Sequence, residues 1–88
     1  MAYKGKVALV TGGGSGMGRV AARNCASAGA SVAILDLNEE GMAETARDLS
    51  SVRAYTTDIT DFARVQEVVA EIEREMGPID RVYNAALV

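Results

Sequence analysis

Residues 11–18 read Thr-Gly-Gly-Gly-Ser-Gly-Met-Gly, and this glycine-rich stretch decides the fold. An apolar run typical of a buried strand precedes it at residues 7–10, and apolar residues at helical spacing follow it over residues 17–28. Glycine has no Cβ atom, and the first turn of a helix carries unpaired backbone N–H groups, so an anion can approach the bare backbone here. The stretch therefore predicts a loop for the pyrophosphate of a dinucleotide. A glycine-rich turn without a ligand is the alternative.

The composition describes one small domain over residues 1–88, with 49% hydrophobic residues and a net charge of −3. Basic and acidic residues are interspersed, which argues against a nucleic-acid partner, and no apolar run approaches the roughly 20 residues of a membrane span. The N-terminal residues do not resemble a signal peptide, and Cys25 is the single cysteine, so we expect a cytoplasmic protein. Histidine is absent, which excludes a histidine-based catalytic or zinc site within this chain, and we expect no metal.

Strand and helix patterns alternate along the chain. We predict strands at residues 6–10, 31–35, 52–57 and 79–83, with the third strand near an edge of the sheet because it is more polar. Helices are predicted over residues 17–28, after the N-cap Asn38, and from Thr60-Asp61 to Gly77-Pro78. This β-α-β-α-β-α-β order predicts the α/β class with a Rossmann-type parallel sheet, forming only the first part of a doubly wound domain.

Each predicted helix has an apolar stripe that we expect to face the sheet. The stripes are Met17, Val20, Ala21, Cys25 and Ala28 in the first helix; Met42, Ala46 and Leu49 in the second; and Val65, Val68, Val69, Ile72 and Met76 in the third. Gly29 follows the first stripe at a position typical of a helix C-terminus.

The glycine spacing is T-G-x-x-x-G-x-G, because Met17 stands where the commoner G-x-G-x-x-G pattern needs its third glycine. This spacing resembles the first loop of the short-chain dehydrogenase/reductase family. The resemblance implies that Gly12 permits a tight turn, that Gly16 exposes backbone to the pyrophosphate and that Gly18 lets the helix pack against the sheet. It also implies that amides around Ser15 and Met17 bind the phosphates, while the Ser15 hydroxyl either joins them or caps the helix.

Asp36 ends the second strand, where a carboxylate can accept hydrogen bonds from the ribose hydroxyls of the adenosine. A carboxylate there also repels the 2′-phosphate of NADP. Family members that prefer NADP often carry a basic residue at positions that are Ser15, Leu37 and Asn38 in this chain. We therefore predict NAD as the cofactor, with Leu37 beside it. A helix-capping or solvated acid is the alternative role for Asp36.

Two further segments match the family pattern. The resemblance implies that Asp58 and Ile59 contact the adenine, although Asp58 equally suits the start of a helix. Residues 83–86 read Tyr-Asn-Ala-Ala where the family usually has N-N-A-G. The resemblance implies that Asn84 ties strand backbones together and that Asn84 and Ala85 lie beside the cofactor. Ala86 adds a methyl group where the family keeps the backbone bare.

The family's catalytic Tyr-x-x-x-Lys pair does not occur in these residues, because Tyr3, Tyr55 and Tyr83 have no lysine four positions on. We therefore assign no catalytic residue and expect this chain to be inactive alone. The first hypothesis is the NAD-binding portion of a truncated alcohol/ketone oxidoreductase that works by hydride transfer. A stand-alone, non-catalytic nucleotide-binding module or a folding fragment is the alternative. In this 88-residue chain the fourth strand and the apolar residues 86–88 are expected to form an exposed edge of the sheet, so we expect self-association.

Overall fold

The computed structural model describes residues 3–14 and 16–85, and its helices and strands alternate in the predicted order. The strands are β1 (Val7–Thr11), β2 (Ser31–Asp36), β3 (Val52–Thr56) and β4 (Arg81–Asn84), and the helices are α1 (Gly16–Ser27), α2 (Glu39–Ala46) and α3 (Phe62–Met76). The predicted number and type of elements are therefore confirmed, with bounds that differ by one to three residues. Residues 86–88, which entered the argument for an exposed edge, lie outside the described part of the chain.

The sheet is parallel, with strand order β3-β2-β1-β4. This order confirms the Rossmann-type prediction, and it confirms that β3 and β4 are edge strands in the described part of the chain. Thr11 is in register with Leu35 on one side and with Asn84 on the other, and Asp36 is in register with Thr56. The carboxyl ends of all four strands therefore meet at one edge of the sheet.

Each face of the sheet has its own hydrophobic core, because successive residues of a strand point to opposite faces. One core joins Ala22 and Cys25 of α1 and Met42 of α2 to alternate residues of β1 and β2. The other joins Val68 and Ile72 of α3 to the residues in between. The sheet is therefore covered on both faces, with α1 and α2 on one side and α3 on the other.

The predicted stripe of α1 is wrong at two positions. Met17 is 83% exposed and Val20 is 58% exposed, whereas Gly18, Ala22 and Cys25 are buried. At Gly18 the helix lies so close to the preceding loop that a Cβ atom would meet the Gly12 carbonyl oxygen at 1.9 Å, so this side of α1 faces the sheet. The stripe of α3 agrees better with the prediction, since its Val68 and Ile72 are fully buried.

The helix ends follow the predicted signals. Asn38 caps α2 by accepting a hydrogen bond from the Gly41 amide at 2.9 Å, and Asp61 caps α3 in the same way. Gly29 follows α1 with a φ of +100°, as a residue after a helix C-terminus often does. α2 ends at Ala46, so Leu49 of the predicted stripe lies beyond it, although Leu49 still packs against the α1–α2 core. In residues 3–14 and 16–85, no helix has the length and apolar character needed to cross a membrane.

Candidate cofactor-binding site

The loop between β1 and α1 is packed so tightly that two of its contacts leave no room for a side chain. A Cβ atom on Gly18 would lie 1.9 Å from the Gly12 carbonyl oxygen, and one on Gly13 would lie 2.5 Å from Ile34 Cβ. The Gly12 amide donates to the Leu35 carbonyl at 2.8 Å, and Gly12 has a φ of +76°. The loop is therefore held against β2 and α1 by contacts that only glycine allows.

Gly16 differs from these glycines because its outer side is open. Its φ is +56°, and a Cβ atom placed there would lie more than 4 Å from every atom of the described residues, its own chain neighbours apart. Met17 follows it in the first turn of α1 and is highly exposed. Open space at the start of a helix gives an anion access to its unpaired amides. Ser15, the other predicted phosphate contact, lies outside the described residues.

Asp36 connects the loop to the end of β2 through both carboxylate oxygens. Its Oδ2 accepts a hydrogen bond from the Gly14 amide at 2.9 Å, and its Oδ1 accepts one from the Asn38 amide at 3.1 Å. A Cβ atom on Gly14 would lie 2.7 Å from Oδ2, so a larger residue there would displace the carboxylate. Leu37 follows with 63% of its surface exposed. The acid at the end of β2 therefore also fixes the shape of the glycine loop.

The end of β4 is tied to the end of β1 beside the loop. The Thr11 hydroxyl donates to Asn84 Oδ1, and the Ala85 amide donates to the Thr11 carbonyl at 3.1 Å. The Asn84 side chain thus bonds to a side chain of β1, and the backbone tie is made by Ala85. Both residues lie at the carboxyl edge of the sheet, near the glycine loop.

Asp58 forms a local turn two residues after the end of β3. Its Oδ1 accepts hydrogen bonds from the Thr60 amide at 2.9 Å and from the Thr60 hydroxyl at 2.6 Å. These two bonds stabilise the ionised carboxylate and hold the pKa of Asp58 below its ordinary value of 3.8. Ile59 is half-buried against the α3 core. Asp58 therefore has the turn-forming role that suits a helix start, and an adenine contact stays a prediction.

The predicted cofactor residues that the structure describes lie at the carboxyl ends of adjacent strands, which is where parallel α/β sheets bind ligands. A family model described as short chain dehydrogenase matches residues 6–88. The chain belongs to the short-chain dehydrogenase family. The resemblance drawn from the loop spacing is thereby confirmed.

Similar proteins of this family are about three times as long as this chain. It is 40% identical to 2,3-dihydro-2,3-dihydroxybenzoate dehydrogenase of Bacillus subtilis, over 94% of this chain and 33% of that protein. Its structure matches a short chain dehydrogenase from Bacillus anthracis with a TM-score of 0.89 and 30% identity, over 97% of this chain and 36% of the other. A 3-ketoacyl-(acyl-carrier-protein) reductase from Brucella melitensis, complexed with NADH, matches with a TM-score of 0.84 and 35% identity, over 90% of this chain and 33% of the other. The chain thus spans about a third of the length of these relatives.

Sequence reasoning missed the residues that support the glycine loop from its inner side. Arg19 of α1 donates to the carbonyl oxygen of Gly14 at 2.8 Å, and the Thr45 hydroxyl donates to that of Gly13 at 2.6 Å. Two signals were present in the sequence. Thr45 is a polar residue three positions after the buried Met42, and Gly41 is a poor helix former in the first turn of α2.

An apolar groove of about 400 Å³ lies beside α1 and β4. Its lining residues are Tyr3, Met17, Val20, Ala21, Asn24, Cys25 and Tyr83. The hydroxyls of Tyr3 and Tyr83 lie 3.3 Å apart, and this hydrogen bond is the main reason that the pKa of Tyr83 rises to about 12. Tyr83, which stands where the family usually has asparagine, thus faces the groove as a neutral phenol.

Proposed function

We propose that this chain is the NAD-binding portion of an oxidoreductase that interconverts alcohol and carbonyl groups. The observation that carries the proposal is the Asp36–Gly14 hydrogen bond, which joins a glycine loop with an open helix start to an acid at the end of β2. Membership of the short-chain dehydrogenase family supports it, as does the bacterial relative complexed with NADH. When bound, the nicotinamide supplies hydride transfer.

The residues present fit a dinucleotide, and each part of it has assigned partners in this proposal. The glycine loop binds the pyrophosphate, the end of β2 binds the adenosine ribose, the turn after β3 binds the adenine, and the end of β4 lies beside the nicotinamide half. In that order the residues are Gly12, Ser15, Gly16, Met17 and Gly18; Asp36 and Leu37; Asp58 and Ile59; and Asn84 and Ala85.

We further propose that NAD is preferred to NADP because of the Asp36 carboxylate. Hydrogen bonds from two backbone amides hold its two oxygens at the end of β2, so rotation of the carboxylate away from a 2′-phosphate would break them. Like charges about 4 Å apart repel by about 1–4 kcal/mol between bulk water and a protein surface, so about tenfold weaker binding of NADP is expected.

Calorimetry of this chain with NAD and with NADP tests that preference. Asp36→Asn is expected to reduce the difference in affinity between NAD and NADP, because it removes the negative charge of the carboxylate. Glu40→Gln, which removes a carboxylate exposed on the first turn of α2, is the matched control and should leave the ratio unchanged. Tighter binding of NADP by the unmodified chain would overturn the assignment.

The oxidoreductase part of the proposal is tested by the coding sequence that follows codon 88. A reading frame that continues through further β-α units to a Tyr-x-x-x-Lys motif would support it. A stop codon directly after Val88 would contradict it and favour a stand-alone nucleotide-binding module.

We also propose that this 88-residue chain self-associates through β4. This strand lies at an edge of the described sheet, its Val82 is 61% exposed, and the apolar groove adjoins it. An exposed apolar edge strand favours pairing with another chain. Sedimentation is expected to show dimers that Val82→Lys weakens and that Phe62→Lys, at an exposed position on α3, does not. A monomer at high concentration would contradict this proposal.

A cytoplasmic location is the last part of the proposal. Cys25 is a buried free thiol and the single cysteine of the sequence, which suits a reducing compartment. Recovery of the protein from the secreted fraction of its source cells would contradict this location.

A further inference from the structure

Arg19 donates hydrogen bonds to three oxygen atoms, which belong to two separate segments of the chain. Its Nε donates to Thr45 Oγ1 at 3.0 Å, and its terminal nitrogen donates to the Gly14 carbonyl at 2.8 Å and to the Gly41 carbonyl at 3.2 Å. Arginine is the side chain best suited to such a cluster, because its planar guanidinium has five donors in a fixed geometry. One residue of α1 thus joins the glycine loop to α2.

Thr45 extends this cluster to the neighbouring peptide of the loop. It is fully buried, and its hydroxyl lies 2.6 Å from the Gly13 carbonyl oxygen and 3.1 Å from that of Gly41. The shorter distance marks Gly13 as the stronger acceptor of its single proton. Arg19 and Thr45 therefore hold two consecutive loop carbonyls, those of Gly13 and Gly14, from the inner side.

Gly41 brings α2 directly against the loop. A Cβ atom on Gly41 would lie 2.2 Å from the Gly14 carbonyl oxygen, so no other residue type fits without a shift of the backbone. Asp36 holds the Gly14 amide from the other side of the same residue. The C=O and N–H groups of a trans peptide point in opposite directions, so fixing the carbonyls fixes the orientation of the loop peptides.

We propose that Arg19 and Thr45 are positioning residues that hold the glycine loop in the form that accepts a pyrophosphate. This inference rests on the proposed dinucleotide site and assigns the two residues no contact with the ligand. A preorganised loop binds an anion more tightly because it loses less conformational entropy on binding. Without the cluster, the loop has to be ordered by the ligand itself.

Arg23 offers a matched control for Arg19. It also lies on α1 and also donates to backbone carbonyls of α2, those of Glu44 at 3.3 Å and Thr45 at 3.2 Å, but it donates to none of the loop residues that the structure describes. Arg23→Met therefore removes the same kind of contact between the two helices. Arg19→Met removes that contact and releases the loop as well.

The test is an NMR titration of the 88-residue chain with ADP and, separately, with adenosine, which lacks the pyrophosphate. Arg19→Met and Thr45→Val are each expected to weaken ADP binding about tenfold, since each removes a hydrogen-bonded group from the loop. The ADP affinity of Arg23→Met should stay within about twofold of that of the unmodified chain. Thr45→Ser keeps the hydroxyl, so it should bind ADP as the unmodified chain does. Adenosine affinity should change little in all four variants.

The outcomes separate this inference from the function on which it rests. Equal ADP affinities for Arg19→Met and Arg23→Met, or a parallel loss of adenosine binding, would overturn the positioning role and leave the proposed function intact. If Arg19→Met does not fold, the comparison of Thr45→Val with Thr45→Ser decides, and equal ADP affinities for that pair overturn the inference. If the unmodified chain does not bind ADP, the proposed function fails and this inference fails with it.

Discussion

Gly41→Ala is expected to destabilise the protein, although helix propensity alone predicts the opposite. Alanine is favoured over glycine by up to about 1 kcal/mol inside a helix. The added Cβ atom, however, would lie 2.2 Å from the Gly14 carbonyl oxygen and 2.6 Å from Asn38 Nδ2, well inside the 3.4–4 Å of ordinary contact. Overpacking costs about 1–3 kcal/mol, and a backbone neighbour places this site in the upper half of that range. The net loss is therefore about 1–2 kcal/mol.

Thermal denaturation followed by circular dichroism measures this loss. For a domain of this size, about 1–2 kcal/mol lowers the Tm by about 4–16 °C. Ala43→Gly, at an exposed position of the same helix, is the control for propensity alone and should cost about 1 kcal/mol. A higher Tm for Gly41→Ala than for the unmodified chain would refute the close packing of α2 on the glycine loop.

Three further substitutions test other parts of the structure. Gly18→Ala should lower the free energy of unfolding in urea by about 2–3 kcal/mol, because its Cβ atom would lie 1.9 Å from the Gly12 carbonyl oxygen. Asn38→Ala should cost about 1 kcal/mol in the same assay, because it removes the cap of α2. Thr60→Val should raise the Asp58 pKa towards 3.8 in an NMR titration of the aspartate carboxyl carbons, because one of two hydrogen bonds to the carboxylate is lost.

The lowered pKa of Asp58 also makes the free energy of unfolding depend on pH. A carboxyl whose pKa is lowered by folding contributes stability above its unfolded pKa and loses that contribution as the pH falls through its folded pKa. Thr60→Val should therefore reduce the acid sensitivity that comes from Asp58. An unchanged Asp58 pKa in Thr60→Val would show that the hydroxyl bond does not stabilise the ionised form. An unchanged free energy of unfolding for Gly18→Ala would contradict the close packing of the loop. An unchanged value for Asn38→Ala would contradict the role of Asn38 as the cap of α2.

The order of elements followed from local signals in the sequence, and the same signals mark where we predict the site. These signals are the glycine spacing, the acid after the second strand, and the caps Asn38 and Asp61. Each is formed by residues that are close together in the sequence, so each can be recognised without knowledge of the fold. The parallel topology then brings the strand ends together. Ser15 and residues 86–88 lie outside what the structure describes, so the predictions for them stand as made.

The periodicity of apolar residues does not predict contacts between segments that are far apart in the sequence. The stripe of α1 was misplaced at Met17 and Val20 because the side of the helix that faces the sheet is chosen by the close approach of Gly18 to Gly12, and not by hydrophobicity. The cluster around Arg19 and Thr45 depends on side-chain bonds to carbonyl groups far along the chain. Neither residue has a pattern that predicts its partners.

The central claim is that the glycine loop of this chain binds the pyrophosphate of NAD. An NMR titration of the unmodified chain with NAD, up to millimolar concentrations, tests it most directly. We predict saturable shifts of the amide signals of Gly12, Gly14, Gly16, Gly18 and Asp36. The absence of saturable shifts in these residues, or shifts confined to the groove beside α1 and β4, would contradict the claim.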